Sequence, residues 1–251
     1  MSIICIDDIN INYKLEGKGK DVVLLHGWGQ KMIMMDFIFE HLKSHFRVLN
    51  VDLPGHGDSD DPKRAYSVED YCNVMVSMFE KLDIKDPIII GHSFGCRIAF
   101  HYASQYSVNK MILCGAAGLL PKRGLDYKVK TGSFKLAKKV IGLTGEKNLE
   151  KFKSKFGSTD YKNVTGVMRE TFVKVVNDDV SGLLSKIFCP VILIFGENDD
   201  ATPLWMGKEL ESKLHDGALI VFENDDHYAY FHQPLRFLAI VDSFLEGDRI
   251  C

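Results

Sequence analysis

Ser93 stands in Gly91-His92-Ser93-Phe94-Gly95, directly after an apolar run and directly before a stretch of helical periodicity. A serine on so tight a strand-to-helix turn has a strained backbone and an exposed hydroxyl. Glycines two residues to each side remove Cβ atoms where the strand and the helix meet. Serine is a poor nucleophile until a base removes its proton, and the base must itself be oriented by a third group. Two later residues fit those roles. Asp199 follows the apolar run 191–195, and His227 follows the run 219–222. Both belong on loops at the carboxyl ends of strands, the sheet edge that also carries Ser93. Asp200 and Glu197 compete with Asp199, since an Asp after a strand is commonly a helix cap. His232 competes with His227, but it falls near the final helix.

The elements that must position these side chains follow from hydrophobic period. Residues 3–6 and 9–15 alternate apolar and polar positions around Asp7-Asp8, which predicts two antiparallel strands at a sheet edge. Short apolar runs at 22–25, 46–51, 87–90, 108–113, 191–195 and 218–222 then alternate with helical stretches near 34–44, 67–82, 94–105, 204–214 and 234–245. That alternation is the pattern of a parallel sheet covered on both faces. Residues 117–181 break the rhythm. They contain no strand-like run and read as a helical insertion, with helices expected near 130–141, 147–156 and 161–177. The expected organisation is a core of 1–116 and 182–251 interrupted by that insertion.

With 251 residues, 46% hydrophobic and 26% charged, the chain has ordinary globular composition and room for one large core. The longest apolar runs fall far short of the ~20 residues that cross a bilayer. The amino-terminal residues lack the basic start and continuous apolar stretch of an export signal, so a cytoplasmic location is expected. Six cysteines without paired spacing are expected to be reduced. The net charge of −3 conceals an asymmetry: the insertion carries +7 and the rest of the chain −10. No nucleic-acid partner is expected, and oligomeric state is not legible. His26, His56 and His92 form no spaced metal-ligand pair, and Gly27 and Gly29 lack the third glycine of a dinucleotide loop, so neither a metal nor a cofactor is expected.

The motifs together resemble the α/β-hydrolase superfamily, in its serine-nucleophile, cap-bearing branch, across essentially the whole chain. Residues 24–29, Leu-Leu-His-Gly-Trp-Gly, resemble its oxyanion loop. Residues 52–59 resemble its D-x-P-G-x-G-x-S segment, and 196–203 its G-x-x-D-x-x-x-P acid loop. The Ser, Asp, His order also agrees with that family. The resemblance implies a mostly parallel central sheet of about eight strands, helices on both faces and a helical cap at 117–181. It further implies an oxyanion hole made by the backbone N–H groups of Trp28 and Phe94. A serine rather than aspartate nucleophile argues against the epoxide-hydrolase and haloalkane-dehalogenase branches.

The reading that results is a serine hydrolase of a small carboxylic ester or related acyl bond, working through an acyl-enzyme. Candidate substrate-binding residues are Arg97, four residues after Ser93 on one helix face, His26 and Tyr228. The basic insertion suits an anionic substrate or, equally, a solvated lid over an acidic core. Two other readings stand beside this one. The Ser-x-x-x-Arg spacing resembles a menaquinone-pathway enzyme that uses its serine as a base for elimination. Some superfamily members have also lost catalysis and act as binding proteins.

Overall fold

The computed structural model describes residues 1–120, 141 and 159–249. Eight strands form one sheet: β1 (Ser2–Ile6), β2 (Ile9–Glu16), β3 (Asp21–Leu25), β4 (Arg47–Val51), β5 (Ile88–His92), β6 (Lys110–Cys114), β7 (Val191–Gly196) and β8 (Gly217–Phe222). Their spatial order is β1-β2-β4-β3-β5-β6-β7-β8. β1 and β2 form an antiparallel hairpin whose turn residues, Asp7 and Asp8, have φ of 49° and 61°. Two consecutive positive φ values match the twist of a two-residue hairpin. β2 meets β4 antiparallel, and every later pairing is parallel. The expected mixed sheet is therefore present.

The described helices are α1 (Asp36–Leu42), α2 (Val68–Leu82), α3 (Phe94–Ala103), α4 (Thr159–Asn163), α5 (Gly166–Val176), α6 (Leu204–Lys213), α7 (Ala229–His232) and α8 (Pro234–Leu245). One face of the sheet packs on Tyr71, Met75, Phe100 and Leu210 from α2, α3 and α6. The other packs on Phe39 and Phe237 from α1 and α8. Each such fully buried side chain contributes about 1.5–3 kcal/mol, which is why the strands read as unbroken apolar runs. α2 starts at a capping box between Ser67 and Asp70 and stops at Asp83, whose φ is 50°. At the sheet edge, the Leu219 N–H donates to Glu211 Oε1 and Arg236 Nη2 donates to the Val221 carbonyl, so side chains occupy main-chain groups of β8.

Two local expectations differ from the structure. The helix expected over 161–177 is two helices, parted at Val164 and Thr165 and restarted by Gly166, whose φ of 51° sets the corner. The short helix α7 was not expected, because four residues carry too little period to read. The helices expected near 130–141 and 147–156, and with them Phe134, Leu136, Phe152 and Phe156, lie outside the described residues; Ile141 alone of that stretch is described, and it is helical.

Candidate active site

Strand order assembles the site. The direction in which strands are added reverses at β3, so β3 and β5 lie side by side, with Leu25 opposite Gly91. The loop after β3 and the turn after β5 therefore emerge together, in the crevice where open parallel sheets leave room for ligands. β7 and β8 are likewise neighbours, with Gly196 opposite Phe222. That pairing brings the loops bearing Asp199 and His227 together.

Ser93 has φ of 50° and ψ of −104°, a conformation that L-residues adopt only when the surroundings impose it. Its N–H donates to the Cys114 carbonyl at 2.9 Å, and its own carbonyl accepts from Cys96 N–H at 3.1 Å. Between Gly91 and Phe100 it is the only residue that is not buried. The two flanking glycines are unequal. A Cβ on Gly95 would sit 2.2 Å from the Leu25 carbonyl oxygen, whereas one on Gly91 would approach nothing closer than 3.2 Å. Close strand-helix packing makes the first indispensable.

His227 Nδ1 donates to Asp199 Oδ2 at 2.7 Å. Asp199 is only 4% exposed. Its Oδ1 accepts the main-chain N–H groups of Ala201 and Thr202, each at 2.8 Å, and its Oδ2 also accepts the Thr202 hydroxyl at 2.6 Å. Burial pushes this carboxyl up, but the hydrogen bonds from His227 and Thr202 outweigh it and hold the group below its ordinary value. Asp200 is exposed and Glu197 accepts from Asn224 N–H instead, so neither competes. His232 is bound to Asp225.

Ser93 and His227 line one cleft of about 560 Å³, together with Trp28, Phe94, Thr202 and Tyr228. No hydrogen bond joins the serine hydroxyl to the imidazole; such contacts often tighten only with substrate bound. The main-chain N–H groups of Trp28 and Phe94 have no acceptor among the described residues. Phe94 is the first residue of α3, where a helix leaves its N–H groups free.

Of the candidate substrate-binding residues, Tyr228 and Arg97 line the cleft, and His26 does not. His26 is wholly buried; its Nδ1 donates to the Gly27 carbonyl at 2.8 Å and its Nε2 accepts Leu53 N–H at 3.1 Å. Burial, reinforced by His56, pulls its pKa down to about 3, so it is a neutral brace for the loop after β3. Arg97 is 7% exposed, and its Nη1 donates to the Asp178 carbonyl. The Asp52 segment is also a brace. The Asp52 carboxylate accepts from Met32 N–H, Asp58 N–H and the Asn12 amide, and a Cβ on Gly57 would lie 2.2 Å from its Cγ.

Sequence reasoning passed over three residues at this site. His92 donates from Nε2 to the His227 carbonyl at 2.9 Å. Gly115, with φ of 50°, lies against the imidazole. Thr202 binds Asp199. Position gave a signal for His92 alone, since it adjoins Ser93; the other two are visible only in three dimensions. Elsewhere among the described residues, the ligand atoms of Asp225, Asp226 and His232 lie within 4.8 Å of one another. There, His232 and Gln233 already occupy both Asp225 oxygens.

Comparison with known proteins agrees with this architecture. The model of the Alpha/beta hydrolase family matches residues 22–240. The chain is 26% identical over 246 residues to a pimeloyl-[acyl-carrier protein] methyl ester esterase of Neisseria meningitidis, covering 91% of this chain and 94% of that protein. In structure it resembles an esterase from Exiguobacterium antarcticum, with a TM-score of 0.76 at 21% identity, over 97% of this chain and 98% of the other. An enol-lactonase from Burkholderia xenovorans gives a TM-score of 0.76 at 19% identity, over 98% and 100% of the two chains. Sheet order, the strained turn at Ser93 and the family match over most of the sequence lead to one conclusion: this chain belongs to the alpha/beta hydrolase family.

Proposed function

We propose that this protein is a serine hydrolase that cleaves a small carboxylic ester through an acyl-enzyme. The observation that carries the reading is the Asp199–His227 hydrogen bond at the rim of the cleft into which the strained Ser93 turn opens. Ser93 is the nucleophile. His227 takes its proton at Nε2 and later returns it to the leaving alcohol, and Asp199 keeps the proton of the imidazole on Nδ1. The N–H groups of Trp28 and Phe94 stabilise the tetrahedral oxyanion, each worth about 3 kcal/mol of transition-state binding.

Residues 117–181 act as a cap. In support, Phe172, Val175 and Val176 of α5 line the cleft, and the Phe172 and Trp28 ring centroids lie 5.2 Å apart. These apolar walls suit a short or medium acyl chain. Arg97 is tied to the Asp178 carbonyl, with the Asp178 carboxylate 3.8 Å away, while Asp160 and Asp200 line the cleft. That balance among the described residues favours an uncharged acyl group over an anionic one. It also counts against an arginine-directed elimination. The esterase relative from Neisseria adds weight to ester cleavage.

A fluorophosphonate probe is expected to label the wild-type protein and not Ser93→Ala, alongside hydrolysis of short-chain nitrophenyl esters. A folded wild-type protein that neither labels nor hydrolyses would instead be a binding member of the family.

A further inference from the structure

We infer that Thr202 is a positioning residue for the proposed hydrolysis, acting through both Asp199 and His227; the inference rests on the serine-hydrolase reading above. Its hydroxyl oxygen lies 2.6 Å from Asp199 Oδ2 and 3.2 Å from His227 Nδ1, and the residue is 3% exposed.

A threonine hydroxyl has one proton and two lone pairs, whereas an ionised carboxylate can only accept. The 2.6 Å contact therefore uses the Thr202 proton, and this distance is that of a charge-assisted O–H···O⁻ bond. Toward His227 the same oxygen has only lone pairs left. Nδ1 thus faces two acceptors, Asp199 Oδ2 and Thr202 Oγ1, and must carry the imidazole proton. The lone pair of neutral His227 is consequently on Nε2, the atom that has to receive the proton of Ser93.

The hydroxyl does something that the loop's backbone does not. The N–H groups of Ala201 and Thr202 fill Oδ1 and fix one end of the carboxylate. Rotation about the Cβ–Cγ bond would displace both oxygens, and Oδ2, the one that meets the imidazole, is held by Thr202 and His227 alone among the described residues. During catalysis the His227 bond must strengthen as the imidazolium forms. Thr202 is the one anchor of Oδ2 that does not itself take part in the proton transfer.

The test compares Thr202→Val, which keeps the shape and removes the hydroxyl, with Thr202→Ser, which keeps the hydroxyl. Wild-type labelling by a fluorophosphonate and wild-type ester hydrolysis are measured first, so that failure of the hydrolase reading is seen separately. With a short-chain nitrophenyl ester, Thr202→Val is expected to lose about tenfold in kcat, with KM within about twofold of wild type. Thr202→Ser should recover most of kcat. The pH profile of kcat/KM should change in the valine variant only, because that variant alone lacks the hydroxyl that both Asp199 and His227 meet. Wild-type kcat and an unmoved pH profile in Thr202→Val would overturn the inference. Equal losses in both variants, tracking a lowered Tm, would overturn it too, since packing and not the hydroxyl would then be responsible.

Discussion

The Cα of Gly115 lies directly against the His227 imidazole: a Cβ built there would stand 2.9 Å from Nδ1 and 3.4 Å from Asp199 Oδ2. Gly115 follows β6, and its N–H donates to the Ile194 carbonyl at 2.8 Å, so it cannot move aside without breaking the sheet end. Gly115→Ala should push the ring away from its partner and reduce kcat/KM by about 100-fold. Part of any stability loss will come from its φ of 50°. Nitrophenyl ester kinetics alongside thermal melts separate the two effects; full activity in a folded variant would contradict the contact.

Asp199→Asn preserves shape but no longer requires His227 to hold its proton on Nδ1. We expect kcat to fall by about 10³–10⁴-fold with KM little changed. Steady-state kinetics at neutral pH check this. A loss below tenfold would assign the orienting role to another acid.

The acid limb of stability should also depend on Asp199. Its carboxyl lies below the ordinary 3.8 when folded, despite burial, because His227 and Thr202 hydrogen-bond it. A group whose folded pKa is depressed contributes stability that is full above the unfolded value and is lost as pH falls through the folded one. As pH falls below 3.8, wild-type Tm should therefore fall more steeply than that of Asp199→Asn. Parallel curves would remove the linkage.

His101 should act with the opposite sign. It bridges Glu69 of α2, at 2.8 Å, and Asp178 after α5, at 3.1 Å. Burial lowers its pKa, but the bonds to Asp178 and Glu69 more than compensate and raise it above the ordinary 6.5. A raised folded pKa contributes stability that is full below 6.5 and is lost as pH rises through the folded value. Urea midpoints should thus decline as pH rises above 6.5 in wild type and decline less in His101→Gln. An identical decline in both would show that the clasp does not titrate.

His26→Ala tests the brace. Removing the ring leaves the buried Leu53 N–H without its acceptor, at a cost of about 1–3 kcal/mol before any cavity cost. Chemical denaturation should show that loss, while KM for a short ester stays near wild type, since the ring does not line the cleft. A raised KM with unchanged stability would restore His26 to substrate binding.

Sequence by itself determined the alternating order of strands and helices, because buried parallel strands must be continuous apolar runs and the helices between them must show a 3.6-residue period. It also placed Ser93, Asp199 and His227 at the carboxyl ends of strands, since each comes a few residues after such a run. Tertiary structure decided which strands are neighbours, and so which loops meet. Nothing in the local sequence says that β3 lies beside β5, or that Gly115 backs the His227 ring. The partners of Asp199, the retreat of His26 into the interior and the pairing of Arg97 with Asp178 were likewise illegible. Local propensity acts over a few residues, whereas a hydrogen bond such as that of Thr202 with His227, 25 residues apart, exists only after the sheet has brought two separate loops within a few ångströms.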